Sequence, residues 1–235
     1  MRNGHETAKT DQPYADRFEQ LFIQGSAAAL AGTHHREVPL FDGGRYGLSV
    51  ALLPTDEDAR RLGELACEAS EVAGGGHWLT GSAATVHFTV RALEAYREHR
   101  SAGDSFVARV GEAVARAAAR GRPVRFRLGG VVLTGSGVML CAHPIDDAPD
   151  ALAAALAEQL GDDALFERDF DRTNWYAMLL HYAGPLGDAR RLVQWVEERR
   201  DLDAGEITLG TLDLVRWRYN GQQARYTVLR SEPLR

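Results

Sequence analysis

The chain has 235 residues, 45% hydrophobic and 26% charged, with a formal net charge of −6, enough for one large domain or two small lobes with a substantial core. The acidic balance argues against broad nucleic-acid binding through charge, while leaving room for a local phosphate site lined by a few arginines. No apolar run approaches the roughly 20 residues that span a bilayer.

Residues 1–44 are expected to form a partly helical N-terminal extension to a domain covering 45–235. The chain opens on Met1-Arg2-Asn3-Gly4-His5 and not on an apolar signal segment. Residues 1–13 are polar enough to be disordered or loosely attached. Phe18, Leu21, Phe22, Ala28 and Ala29 fit an amphipathic helix over 14–30, interrupted at Gly25. His34-His35 reads as an exposed loop, because strand neighbours face opposite ways and no partner at helical spacing completes a metal site.

Tyr46, Leu48, Val50 and Leu52 alternate in a first strand over 45–53, which Pro54 ends. Thr55 caps a helix with Asp56, Glu57 and Asp58 in its first turn and an apolar stripe from Ala59 to Val72. Gly74-Gly75-Gly76 stops it. Residues 84–91 (Ala-Thr-Val-His-Phe-Thr-Val-Arg) read as the strand around which the chain is organised. Alternation gives Phe88 and Val90 to a core and sets His87, Thr89 and Arg91 in a row on the other face, a set able to bind an oxyanion and move a proton. Helical patterns follow over 92–99 and from the cap Asp104, ending before Gly121 and Pro123. Strand runs 124–128, 131–134 and 138–142 are separated by Gly129-Gly130 and by a hairpin turn at Gly135-Ser136-Gly137. A helix over 150–160, a second long strand over 175–184, a helix from Gly187-Asp188, a strand over 207–217 and a hairpin at Asn220-Gly221 complete the chain. Cys67 and Cys141 sit in apolar patterns and read as buried thiols, which suits a reducing cytoplasm. His77, His99 and His143 read as surface or structural residues, and the arginines of 116–127 as a solvated face.

The two halves repeat. His87-Phe88-Thr89-Val90 corresponds to His181-Tyr182-Ala183-Gly184, with the histidines 94 positions apart. Hairpins favour antiparallel pairing, so the fold class is α+β: two pseudo-symmetric lobes of antiparallel sheet with flanking helices around a central groove. The His-x-Thr motif, the helix and hairpin after it, the second histidine and the closing run Tyr226-Thr227-Val228-Leu229 resemble the 2H phosphoesterases, which include the 2′-5′ RNA ligase and cyclic phosphodiesterase family. The likeness covers roughly 45–235. It departs from the family at Ala183, where the second motif has no hydroxyl.

The resemblance implies metal-independent phosphodiester chemistry on a cyclic or 2′-5′-linked nucleotide or RNA end, with His87 and His181 as the acid/base pair. Two imidazoles titrating near neutrality can activate water and protonate a leaving oxygen without a cofactor or metal. Thr89 would hold a phosphate oxygen and Arg91 an oxyanion. Trp175, six residues before His181, is counted as a nucleobase stacker, core packing being its alternative. A monomer in the cytoplasm, with a small nucleotide or RNA-end substrate and no membrane contact or extended nucleic-acid surface, completes the expectation. Ala183 keeps two other readings open: a nucleotide- or RNA-binding protein that has lost turnover, and an enzyme recruited to acid/base chemistry on a non-nucleotide metabolite.

Overall fold

The computed structural model describes residues 12–36, 47–95, 104–167, 174–219 and 223–235. The chain order is α1 (Gln12–Ala31), β1 (Leu48–Leu52), α2 (Asp56–Ala73), β2 (Phe88–Glu94), α3 (Ser105–Ala118), β3 (Val124–Thr134), β4 (Gly137–Pro144), α4 (Ala148–Leu160), a 3-10 helix (Gly161–Glu167), β5 (Trp175–His181), α5 (Ala189–Glu197), β6 (Asp203–Leu209), β7 (Thr211–Tyr219) and β8 (Ala224–Pro233). The strands form two four-stranded antiparallel sheets, ordered β2-β1-β7-β8 and β5-β4-β3-β6. This is the expected α+β architecture. The two histidine segments belong to β2 and β5, the edge strands of the two sheets, and these edges approach each other.

Local chemistry sets the helices. The Thr55 hydroxyl accepts the Asp58 N–H at 3.3 Å, and Gly74, at φ 97°, closes α2 by donating to Glu71 and Ser70 carbonyls. Asp104 and Asp188 cap α3 and α5 in the same way. The main core joins strands of both sheets to the apolar faces of α2, α3, α4 and α5. Leu48, Val50, Leu52 and Phe88 meet Phe126, Leu140 and Trp175; Phe88 stacks on Phe126 at 5.4 Å and Phe126 tilts against Trp175 at 5.5 Å.

Several elements differ from expectation. Gly25 does not interrupt α1. The helix runs through it because an added Cβ there would lie 2.6 Å from the Leu133 carbonyl, so glycine is what lets α1 lie on β3. Residues 92–94 continue β2 as strand instead of starting a helix, since pairing with β1 and burial of Leu93 outweigh local propensity. The runs 124–128 and 131–134 are one strand with a bulge at Gly129-Gly130, where Gly130 adopts φ 76°. The strand expected over 207–217 is two, split at Gly210 and shared between the sheets.

His34 is buried, not exposed: its Nε2 lies 3.0 Å from the Gly184 carbonyl and its ring meets Tyr182 edge-on. Cys67 is exposed and Cys141 buried, both as free thiols. The Asn220-Gly221 turn, His99 and residues 1–11 lie outside the described residues. Among the described residues no helix is long and apolar enough to cross a membrane.

Candidate active site

His87 sits one residue before β2, half-buried. The strand cannot start earlier, because Thr85 and Val86 fold back to donate to the Ser82 carbonyl. The His87 Nδ1 lies 2.8 Å from the Thr85 carbonyl. A carbonyl can only accept, so Nδ1 carries the proton and the neutral ring holds its lone pair on Nε2. Burial pushes the His87 pKa below its ordinary value, against the opposing effect of that hydrogen bond. The ring packs 4.8 Å from Trp217 on β7 and 6.4 Å from Tyr226 on β8, and those two rings meet edge-on at 5.3 Å.

His181 ends β5, half-buried, held by a segment of the other half of the chain. Trp78 and His181 exchange both backbone hydrogen bonds at 3.0 Å, and the Gly81 N–H donates to the Leu179 carbonyl at 3.0 Å. Gly81 has no room for a side chain there: an added Cβ would lie 2.6 Å from the Leu179 Cα. Thr80 Oγ1 sits 3.0 Å from the His181 Nδ1. The Trp78 ring meets Tyr219, two residues beyond Trp217 on β7, edge-on at 4.9 Å. One aromatic patch on the first sheet thus touches the His87 ring directly and packs on Trp78, whose backbone pairs with that of His181.

The chain past His181 is fastened as well. The Ala183 N–H donates to the His77 Nδ1 at 3.3 Å, and the His77 Nε2–H donates to the Ala73 carbonyl at 3.3 Å. Both ring nitrogens of His77 are committed in the neutral form. Burial first, and the nearby His34 to a smaller degree, lower its pKa against the Ala73 hydrogen bond. Of the two readings expected of it, surface or structural, His77 is structural: it is buried and holds the chain at the second motif.

The remaining residues of the expected site separate. Thr89 pairs with Ala51, whose side chain joins Trp217 and Val215 on the His87 face. Arg91 does not share that face. A bulge at Val90 brings Arg91 opposite Val50, a core residue, and its Nη2 donates to the carbonyls of Ala164 and Glu167 at 3.2 and 2.8 Å. Trp175 is also corrected. It is 0% exposed, its indole donates to Asp150 at 2.8 Å and it packs in the core. A bulge at Leu179 reverses the phase of β5: Trp175, Ala177 and Leu179 face the core before it, Leu180 and Tyr182 after it, and His181 points the opposite way from Trp175.

The aromatic patch and Thr80 were not found from the sequence. The period-2 spacing of Trp217, Tyr219 and Tyr226 around the closing hairpin was the available signal. Asp213, opposite Ala51 on the same face, is a buried carboxyl that accepts from Thr211 Oγ1 at 2.7 Å, and burial raises its pKa. Among the described residues no group of three or more His, Cys, Asp or Glu side chains is arranged to hold a metal ion.

No family model matches the sequence, and no curated protein does. Solved structures do. E. coli LigT complexed with 3′-AMP superposes with a TM-score of 0.58 at 13% identity, covering 80% of this chain and 98% of that one. TT0787 of Thermus thermophilus gives 0.56 at 20% identity over 80% and 98%. A protein described as a phosphoesterase gives 0.57 at 14% identity over 81% and 98%. LigT complexed with ATP also matches, with a TM-score of 0.55 at 13% identity. With two four-stranded antiparallel sheets whose edge strands carry the two histidine segments, the chain shares its fold with LigT, TT0787 and the phosphoesterase.

Proposed function

We propose that this protein is a metal-independent phosphodiesterase acting on a small cyclic or 2′-5′-linked nucleotide or RNA end through His87 and His181. The observation that supports it is one aromatic patch that packs on the His87 ring and on the ring of Trp78, whose backbone pairs with His181 at the edge of the other sheet. His87 is the base: its Nε2 holds the lone pair, and burial disfavours its cation. It takes the proton of the attacking water as the oxygen bonds to phosphorus, while His181 returns a proton to the departing ribose oxygen. Thr89 donates to a non-bridging oxygen. Tyr219 and Tyr226, partly exposed against the buried Trp217, supply an aromatic surface suited to a nucleobase, and the LigT complexes with 3′-AMP and ATP support a ligand of this class.

The test is turnover of 2′,3′-cyclic nucleotides and 2′-5′-linked dinucleotides by wild type, His87→Ala and His181→Ala, each with and without EDTA. Wild-type turnover should survive the chelator and fall by at least about 10²-fold in either variant. Activity lost to EDTA and restored by Zn²⁺ or Mn²⁺, or untouched in His181→Ala, refutes the mechanism. The missing hydroxyl at Ala183 favours a second reading, a nucleotide-binding protein, which predicts binding of the same panel with no turnover.

A further inference from the structure

We propose that Thr80, which belongs to neither histidine motif, is a positioning residue that fixes the ring proton of neutral His181 on Nε2. The inference rests on the two-imidazole reading above and deepens it by saying what each neutral ring carries at Nε2, a lone pair on His87 and an N–H on His181. Thr80 is 2% exposed, and among the described residues its hydroxyl has one hydrogen-bond partner, the His181 Nδ1 at 3.0 Å. The hydroxyl has a single hydrogen to place. If Nδ1 were the donor, that hydrogen would have no described acceptor in a buried site. The O–H therefore donates to Nδ1, and the proton of the neutral ring is on Nε2.

His87 is held the other way round. Its Nδ1 faces the Thr85 carbonyl, which cannot donate, so its neutral ring has a bare Nε2. A hydroxyl behind one imidazole and a carbonyl behind the other lock the two rings in opposite tautomers. Neutral His87 presents a lone pair at Nε2 and neutral His181 an N–H that can donate a hydrogen bond to a phosphate oxygen; proton transfer to the leaving oxygen takes the His181 imidazolium. When His181 is an imidazolium, the Thr80 oxygen accepts from Nδ1–H instead. After the imidazolium passes its Nε2 proton to the leaving oxygen, the ring is transiently neutral with its remaining proton on Nδ1, donated to the Thr80 oxygen, and the proton from water is on His87. Water then takes the His87 proton and reprotonates His181 at Nε2, so the balance closes.

The backbone around Thr80 holds it to this task. The two Trp78–His181 hydrogen bonds flank it on one side and the Gly81–Leu179 hydrogen bond on the other. The second motif lacks its own hydroxyl at Ala183, and the hydroxyl beside His181 comes from this segment instead, directed at the ring and not at phosphate.

The full chain labelled with ¹⁵N-histidine, observed in long-range ¹H–¹⁵N spectra, reads the tautomers without any substrate. Wild type should show His181 protonated on Nε2 and His87 on Nδ1. In Thr80→Val the single-tautomer pattern of His181 should be lost. Its kcat on a 2′,3′-cyclic nucleotide should fall about ten- to a hundredfold, with KM changed by less than about twofold; Thr80→Ser should restore both. A wild-type His181 protonated on Nδ1, or a folded Thr80→Val with unchanged spectrum and kcat, overturns the proposal. If Thr80→Val does not fold, the wild-type tautomer and Thr80→Ser decide. If wild type turns over nothing in the substrate panel, the fault lies with the proposed function, and the spectra still judge Thr80.

Discussion

Gly81→Ala tests how tightly the site depends on the 77–81 segment. The new Cβ would lie 2.6 Å from the Leu179 Cα and 2.8 Å from the Met178 carbonyl oxygen, both backbone atoms. Ordinary contact begins near 3.4 Å, so the segment must retreat from β5 by about 0.8 Å. That shift falls on the Gly81–Leu179 hydrogen bond and on the Thr80–His181 contact beside it. A misplacement approaching 1 Å costs up to about 10²-fold in rate, so kcat on a 2′,3′-cyclic nucleotide should fall roughly ten- to a hundredfold. Overpacking should cost about 1–3 kcal/mol of stability, or about 2–4 °C of Tm per kcal/mol in a chain of this size. Gly130→Ala is the control. Its Cβ would meet the Arg200 carbonyl at 2.8 Å at φ 76°, a comparable injury in the β3 bulge. It should lower Tm similarly and leave kcat within about twofold. Steady-state kinetics and thermal melts on the three proteins separate the effects. A Gly81→Ala protein with lowered Tm and full kcat, or equal loss of kcat in both variants, refutes the reasoning.

Ala183→Thr should raise turnover of a 2′,3′-cyclic nucleotide, by up to about 10²–10³-fold if the hydroxyl meets the transition state; a fall in turnover shows that the space is used otherwise. His77 and His87 both have folded-state pKa values held below the ordinary 6.5. The unfolded chain therefore binds more protons just below that pH, so their contribution to stability is complete above about 6.5 and is lost as pH falls. Denaturant melts from pH 7.5 to 5 should show this decline, and His77→Gln should lessen it. Tyr226→Ala should raise KM for a nucleotide by the equivalent of about 1–3 kcal/mol with the smaller loss of stability of a partly exposed residue, whereas Trp175→Ala should cost about 3–5 kcal/mol of stability, as melts and kinetics on the pair will show.

The parts of the fold legible in the sequence were those fixed by neighbouring residues. Thr55, Asp104 and Asp188 announce their helices because a cap acts over three residues, and the β3–β4 turn is written in Gly135-Ser136-Gly137. The site was legible only as far as alternation held. His87 and Thr89 share their face as expected. One extra residue at Val90 turns Arg91 away, and another at Leu179 puts Trp175 and His181 on opposite faces. A bulge depends on the partner strand, so nothing local announces it. The same holds for Thr80, 101 positions from the ring it contacts, and for Gly210, where an apparently continuous strand changes sheets. Residues 92–94 look helical by themselves and become strand because β1 offers them a ladder.

The Trp78–His181 bridge also bears on how the molecule moves. Segment 77–81 follows α2 and leads into β2, yet its backbone pairs with β5 of the other sheet. A rotation that drew the sheets apart would have to break this ladder and separate Phe88 from Phe126. The lobes are therefore not a hinged jaw. The two sheets should also melt in one cooperative step.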